Sequence, residues 1–142
     1  MQPENTQLSI LIVEDTRLTT DRLIELIHSV PHDLTLKVAD TEEDGVKLAI
    51  DNYPDIIVLD LRLKQGSGFN VLRCITEMDP KPTAIVLTNF ALPKYKQYAL
   101  LNGAEYFLDK ARDLEALPAI IESVARGILL KKKARSPHTL KS

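Results

Sequence analysis

Four short stretches of this chain carry residue types suited to metal or phosphoryl chemistry: Glu14-Asp15, Asp60, Thr88 and Lys110. Each stands at the end of an apolar run, Ile10–Val13, Ile56–Leu59, Ile85–Leu87 and Tyr106–Leu108 respectively, with Asp109 between the last run and Lys110. Three carboxylates brought together repel one another, so a cation should join them, and hard oxygen donors favour Mg²⁺ with several waters retained. A carboxylate can also attack a phosphoryl donor and become an acyl phosphate. Such transfer asks mainly for positioning and charge neutralisation, which a metal, a lysine and a hydroxyl donor supply. Taken singly, each residue has an ordinary explanation. Acids often open helices, a threonine can simply end a strand, and an isolated lysine is usually a solvated surface charge. Their joint placement at four strand ends is what gives the chemical reading its weight.

The elements that would position them alternate along the chain. Leu8–Val13 reads as a buried strand. Leu18, Leu23, Ile24, Leu26 and Ile27 recur at helical spacing between Thr16 and Ser29, and Pro31 stops that helix. Leu34–Ala39 alternates like a strand. Thr41 with Asp44 resembles a capping box for a helix through Asn52. Ile56–Leu59 is a second buried strand, and Gly66-Ser67-Gly68 a loop leading into a helix that carries Phe69, Val71, Leu72, Ile75 and Met78. Thr83–Thr88 is a strand, a helix runs from about Pro93 to Asn102-Gly103, and residues 105–108 form a short fifth strand. Asp113 is expected to cap a last helix through about Leu130. Five strands alternating with five helices predict an α/β fold: a five-stranded parallel sheet in order 2-1-3-4-5 with helices on both faces. Ligands in such sheets bind at the carboxyl ends of the strands, where the strand order reverses.

Composition narrows the class further. With 44% hydrophobic and 27% charged residues the chain reads as one soluble globular domain. No apolar run approaches a membrane span, the polar start lacks a signal-peptide pattern, and a single cysteine allows no internal disulfide, so a cytoplasmic setting is expected. The net charge of −2 hides an asymmetry: residues 131–142 hold five basic residues and no acid, leaving 13 basic against 20 acidic elsewhere. An acidic body of that kind predicts no direct nucleic-acid binding. The basic tail is expected to be disordered, with the folded domain spanning 8–130. Cys74, among Val71, Leu72 and Ile75, reads as a small buried hydrophobe. His28, His32 and His138 show no metal spacing.

In order and spacing, the motifs resemble the receiver domain of two-component response regulators. They are Ile-Leu-Ile-Val-Glu-Asp (10–15), Pro-Asp-Ile-Ile-Val-Leu-Asp-Leu (54–61), Gly68, Val-Leu-Thr (86–88) and Gly-Ala-Glu-Tyr-Phe-Leu-Asp-Lys (103–110). The resemblance covers about Leu8 to Leu130 and implies a flavodoxin-like fold. It implies Asp60 as phosphoacceptor, with Asp15 and Asp60 on Mg²⁺, Glu14 reaching it through water, and Arg62 giving its backbone carbonyl. Thr88 and Lys110 would each hold a phosphoryl oxygen, and Phe107 would take the aromatic switch position. The implied partners are a sensor histidine kinase or histidine phosphotransfer protein, and a downstream protein or second copy at the face formed by the last two helices and the fifth strand, where Tyr95 and Tyr98 stand. A stand-alone receiver with at most slow self-dephosphorylation, rather than an enzyme, is the expectation.

The chain departs from the family pattern at several points. Ala111 follows the lysine where proline is usual, Lys64 replaces the proline four residues past the phosphoacceptor, and Asn89-Phe90 follows the threonine where a small residue is common. Three rival readings fit less well. An Asp-x-Asp phosphatase would need an aspartate where Arg62 stands. A dinucleotide-binding enzyme would need a glycine-rich turn in place of Glu14-Asp15-Thr16-Arg17. A receiver that only binds partners would have no need of the full set of site residues.

Overall fold

The computed structural model describes residues 7–134; the polar start (1–6) and the end of the basic tail (135–142) lie outside the described residues. The strands are β1 (Leu8–Val13), β2 (Leu34–Ala39), β3 (Ile56–Leu59), β4 (Thr83–Thr88) and β5 (Tyr106–Asp109). The helices are α1 (Arg17–His28), α2 (Glu42–Asn52), α3 (Gly68–Thr76), α4 (Pro93–Leu101) and α5 (Leu117–Ala134), with a 3₁₀ turn over Leu114–Ala116. The sheet is parallel throughout and ordered β2-β1-β3-β4-β5, as the alternation predicts.

Successive strand residues point to opposite faces, and the apolar runs fill both. Leu11, Val13, Ile57, Leu59 and Val86 pack with Ala49 of α2, Leu72 and Ile75 of α3 and Ala99 of α4. Ile10, Ile12, Ile56, Val58 and Ile85 pack with Leu23 and Ile27 of α1 and Leu117 and Ile121 of α5. Burying a side chain of this size is worth about 1.5–3 kcal/mol, so the two cores fix the strands in one register. That register sets Val13, Leu59, Val86 and Phe107 side by side across four strands.

Local signals explain most boundaries. The Thr41 hydroxyl accepts the Asp44 N–H at 3.1 Å, capping α2 as expected. Asp113 does not cap α5. Its carboxylate turns back to accept the Asp109 N–H at 2.9 Å, and α5 starts only at Leu117, after the 3₁₀ turn. That backbone bond is also the main cause holding the Asp113 carboxyl below its usual pKa. At its far end α5 runs to Ala134, so residues 131–134 of the expected tail are helical. Lys132 explains part of this, since its ammonium lies 3.2 Å from Asp55 and 3.4 Å from the Gln7 carbonyl. Asp55 in turn accepts the Ser9 N–H at 2.9 Å, tying the helix end to the starts of β1 and β3. His32 faces Glu122 of α5 at 2.9 Å. Cys74 is only partly buried. Among the described residues, no helix is long and apolar enough to cross a membrane.

Partly exposed ion pairs contribute about 1 kcal/mol or less and are screened by salt. Lys132→Ala should therefore lower the urea midpoint slightly in dilute buffer, with the difference vanishing at high salt. An unchanged midpoint in dilute buffer would show that the contact does not anchor the helix.

Candidate functional site

Beyond the shared row of Val13, Leu59, Val86 and Phe107, the chain turns polar on every strand. Glu14 and Asp60 come one residue later, Asp15 and Thr88 two, and Lys110 three. Backbone bonds carry the order past the strand ends: Glu14 N–H to Ala39 O and Asp60 N–H to Val13 O, both at 3.0 Å, and Lys110 N–H to Thr88 O at 3.0 Å. β1 lies between β2 and β3, where the strand order reverses, so its carboxyl end is at the switch point of the sheet. The acids stand at that point.

The structure brings the expected residues together. The Lys110 ammonium donates to Asp60 Oδ2 at 2.7 Å and to Glu14 Oε1 at 2.5 Å. All three side chains are under 10% exposed, and Thr88 is fully buried. Burial alone would lower the Lys110 pKa. The hydrogen bonds and charges of Asp60 and Glu14 outweigh it and raise the pKa, so the group stays cationic. The second oxygen of Glu14 accepts the Thr16 N–H at 2.8 Å, and Asp60 Oδ1 accepts the Arg62 N–H at 3.1 Å. Asp15 Oδ2 accepts the N–H of Lys64. A proline there, the usual residue in the receiver pattern, would have no N–H to give. The Thr88 Oγ1 accepts the Phe90 N–H at 3.1 Å, which leaves its O–H free to donate.

Glu14, Asp15 and Asp60 each offer an oxygen, all within 4.8 Å of one another. Three carboxylates thus face one ammonium. A hard divalent cation fits that donor set and the uncompensated charge. The Arg62 guanidinium lies 4.2 Å from the centre of the half-exposed Phe90 ring. Phe107 packs on the edge of the core beneath the site. The Lys110–Ala111 peptide is trans; among the described residues the cis peptide is Asp79–Pro80.

Residues 10–122 match the response regulator receiver domain family. The chain belongs to that family. Among its relatives are the protein-glutamate methylesterase/protein-glutamine glutaminase 1 of Syntrophus aciditrophicus and the sensory transduction protein LytT of Bacillus anthracis. The first is 29% identical, over 92% of this chain and 40% of the relative; the second is 31% identical, over 78% and 46%. The receiver chain thus spans less than half the length of either. The response regulator domain of Thermotoga maritima CheB has the same fold, with a TM-score of 0.72 at 22% identity, covering 86% of this chain and 96% of that one.

Sequence reading missed Glu42, the first residue of α2. Its carboxylate accepts the Ser67 N–H at 2.8 Å and Asn70 Nδ2 at 3.2 Å. An acid in the first turn of a helix looks like ordinary dipole complementation, and nothing in the sequence joins it to a backbone amide 25 residues away. Gly68, by contrast, was part of the recognised pattern, and its role is now physical. A Cβ on Gly68 would lie 2.0 Å from the Asp60 carbonyl oxygen and 2.7 Å from Leu61 Cα.

Backbone cannot give way there as a side chain could, so Gly68→Ala should destabilise the receiver by about 1–3 kcal/mol. Gly127→Ala, on the exposed side of α5 with nothing within 4 Å of a new Cβ, should stabilise it by up to about 1 kcal/mol. Urea unfolding of the two variants checks the contrast, and a tolerated Gly68→Ala would refute the close approach.

Proposed function

We propose that Asp60 accepts a phosphoryl group, with Mg²⁺ as cofactor, from a sensor histidine kinase or histidine phosphotransfer protein. The observation that carries this is the Lys110 ammonium, buried and 2.7 Å from Asp60 beside two further acids. The attacking atom is an Asp60 carboxylate oxygen: it bonds to phosphorus as the bond to the donor breaks, giving an acyl phosphate. Glu14, Asp15 and Asp60, with the Arg62 carbonyl, would hold the metal, which when bound would neutralise phosphoryl charge. Lys110 and the Thr88 hydroxyl would each take a phosphoryl oxygen. On this reading the domain is a switch with no true substrate, and its only turnover is slow loss of its own phosphoryl group.

The output is a protein surface. Of the large apolar residues that stand exposed, five cluster at 90–101: Phe90, Leu92, Tyr98, Leu100 and Leu101. They lie on α4 and the loop that leads from Thr88 into it, so a shift of Thr88 toward a phosphoryl group acts directly on that surface. Phe107 would move with it and open the α4–β5–α5 face to a target protein or a second copy. The methylesterase activity in the name of one relative belongs to a protein more than twice the length of the matched region.

Incubation with acetyl phosphate and Mg²⁺ should raise the intact mass by one phosphoryl group, and Asp60→Asn should abolish the gain. A gain that survived in Asp60→Asn would sink the assignment.

Hydrolysis of the acyl phosphate needs water to approach in line with the departing Asp60 oxygen. Arg62 and Phe90 belong to the two loops beside that approach and are stacked on each other. A tenfold slowing needs only about 1.4 kcal/mol. The phosphorylated Arg62→Ala, Phe90→Ala and double variants should therefore lose phosphate faster than wild type by about that factor, the double variant gaining little over either single change. Equal decay in all four would place control of lifetime elsewhere.

A further inference from the structure

We propose that Glu42 is a positioning residue for the acidic site, acting through the loop of residues 61–67 between β3 and α3. This deepens the phosphoacceptor reading of Asp60 and rests on it. The loop reaches both metal-facing aspartates by backbone alone: the Arg62 N–H binds Asp60 Oδ1 and the Lys64 N–H binds Asp15 Oδ2. Where those carboxylates point thus depends on where the loop lies.

The loop closes on itself at its base. Gly68 N–H donates to Leu61 O at 2.9 Å, and Arg62 and Ser67 form an antiparallel bridge. The turn of residues 63–66 projects beyond that base, and Glu42 holds it from the α2 side. The Glu42 N–H donates to Gln65 O at 3.1 Å, while its Oε1 accepts from the Ser67 N–H and the Asn70 amide. Gly66, at φ +95°, is what lets the backbone approach: a Cβ there would sit 2.3 Å from Glu42 Cβ. The Ser67 N–H foremost, and Asn70 next, hold the Glu42 carboxyl below its usual pKa, so the latch is a carboxylate at neutral pH. Lys64 completes the connection. With proline at that position the loop would lose its N–H to Asp15, so the coupling from Glu42 to Asp15 belongs to this sequence.

Partners that orient metal ligands commonly matter by tenfold or more in metal affinity. The test is a Mg²⁺ titration of the full chain followed by amide resonances, together with amide exchange at Ser67 and Lys64. Glu42→Ala should weaken Mg²⁺ binding about tenfold and speed exchange at both amides. Glu42→Gln keeps the acceptor oxygen and should recover most of the affinity. Glu43→Ala removes a neighbouring exposed first-turn acid from the same helix and should change neither. Equal Mg²⁺ midpoints for wild type and Glu42→Ala would overturn the proposal, as would an equal loss in Glu43→Ala, which would reduce Glu42 to a helix-end charge. If acetyl phosphate fails to modify wild-type Asp60 while Mg²⁺ binding still depends on Glu42, the phosphoacceptor reading falls and the latch stands.

Discussion

Everything at the open edge of this sheet is organised around one buried ammonium. Lys110 sits between Asp60 and Glu14 with hardly any water, and without it two carboxylates would be buried side by side. Removing one partner from such a cluster leaves an uncompensated buried charge, a cost of about 3–5 kcal/mol. The cluster is therefore interlocked, and the chain must deliver three distant segments to within hydrogen-bonding reach of one another. The parallel sheet does so through register. Because Val13, Leu59, Val86 and Phe107 are level, a polar residue one to three positions further on any of these strands arrives at the same edge.

The apolar cores and the acidic edge make opposite contributions. The cores drive folding and tolerate only a single register, since a slip of one residue would turn each strand's two faces over. The edge gathers like charges, which opposes compaction, and one lysine offsets only part of that repulsion. On the proposed reading, a fold that gathers such an edge would be ready to bind a cation and to respond when a phosphoryl group arrives.

How far the sequence revealed this depends on whether a residue acts through its type or through its surroundings. The strand order, the two-sided burial and the meeting of Glu14, Asp15, Asp60, Thr88 and Lys110 were legible, because apolar runs ending in polar residues need only topology to bring their ends together. Asp113 misled, since an aspartate before a helical pattern is as able to bind a preceding backbone amide as to cap the helix, and only the path of the chain after β5 decides. The helical end of α5 was hidden because Lys131–Lys133 look like a solvated tail until Asp55 is known to lie beneath Lys132. Glu42 was invisible for a similar reason: beside the Asn70 side chain its partners are backbone groups of a loop, and backbone groups carry no sequence signature.

The hydrogen bonds of Asp60 bear on how the proposed chemistry would proceed there. Both carboxylate oxygens are engaged, Oδ1 by the Arg62 amide and Oδ2 by Lys110. Under the proposed chemistry one of them must become the nucleophile, so Lys110 has to release Oδ2 before or as phosphorus approaches. It can do so at small cost because it keeps Glu14, 2.5 Å away, as a second anionic partner, and an incoming phosphoryl group offers new oxygens to the same ammonium. The ion pair is exchanged rather than broken, and the buried lysine is never left without a counter-charge. Glu14 would then be more than one acid of the proposed metal site. On the proposed chemistry it would keep Lys110 in place while Asp60 changes from carboxylate to acyl phosphate, a role open to it because the two acids stand on adjacent strands, one residue past a common level, where β1 and β3 leave them.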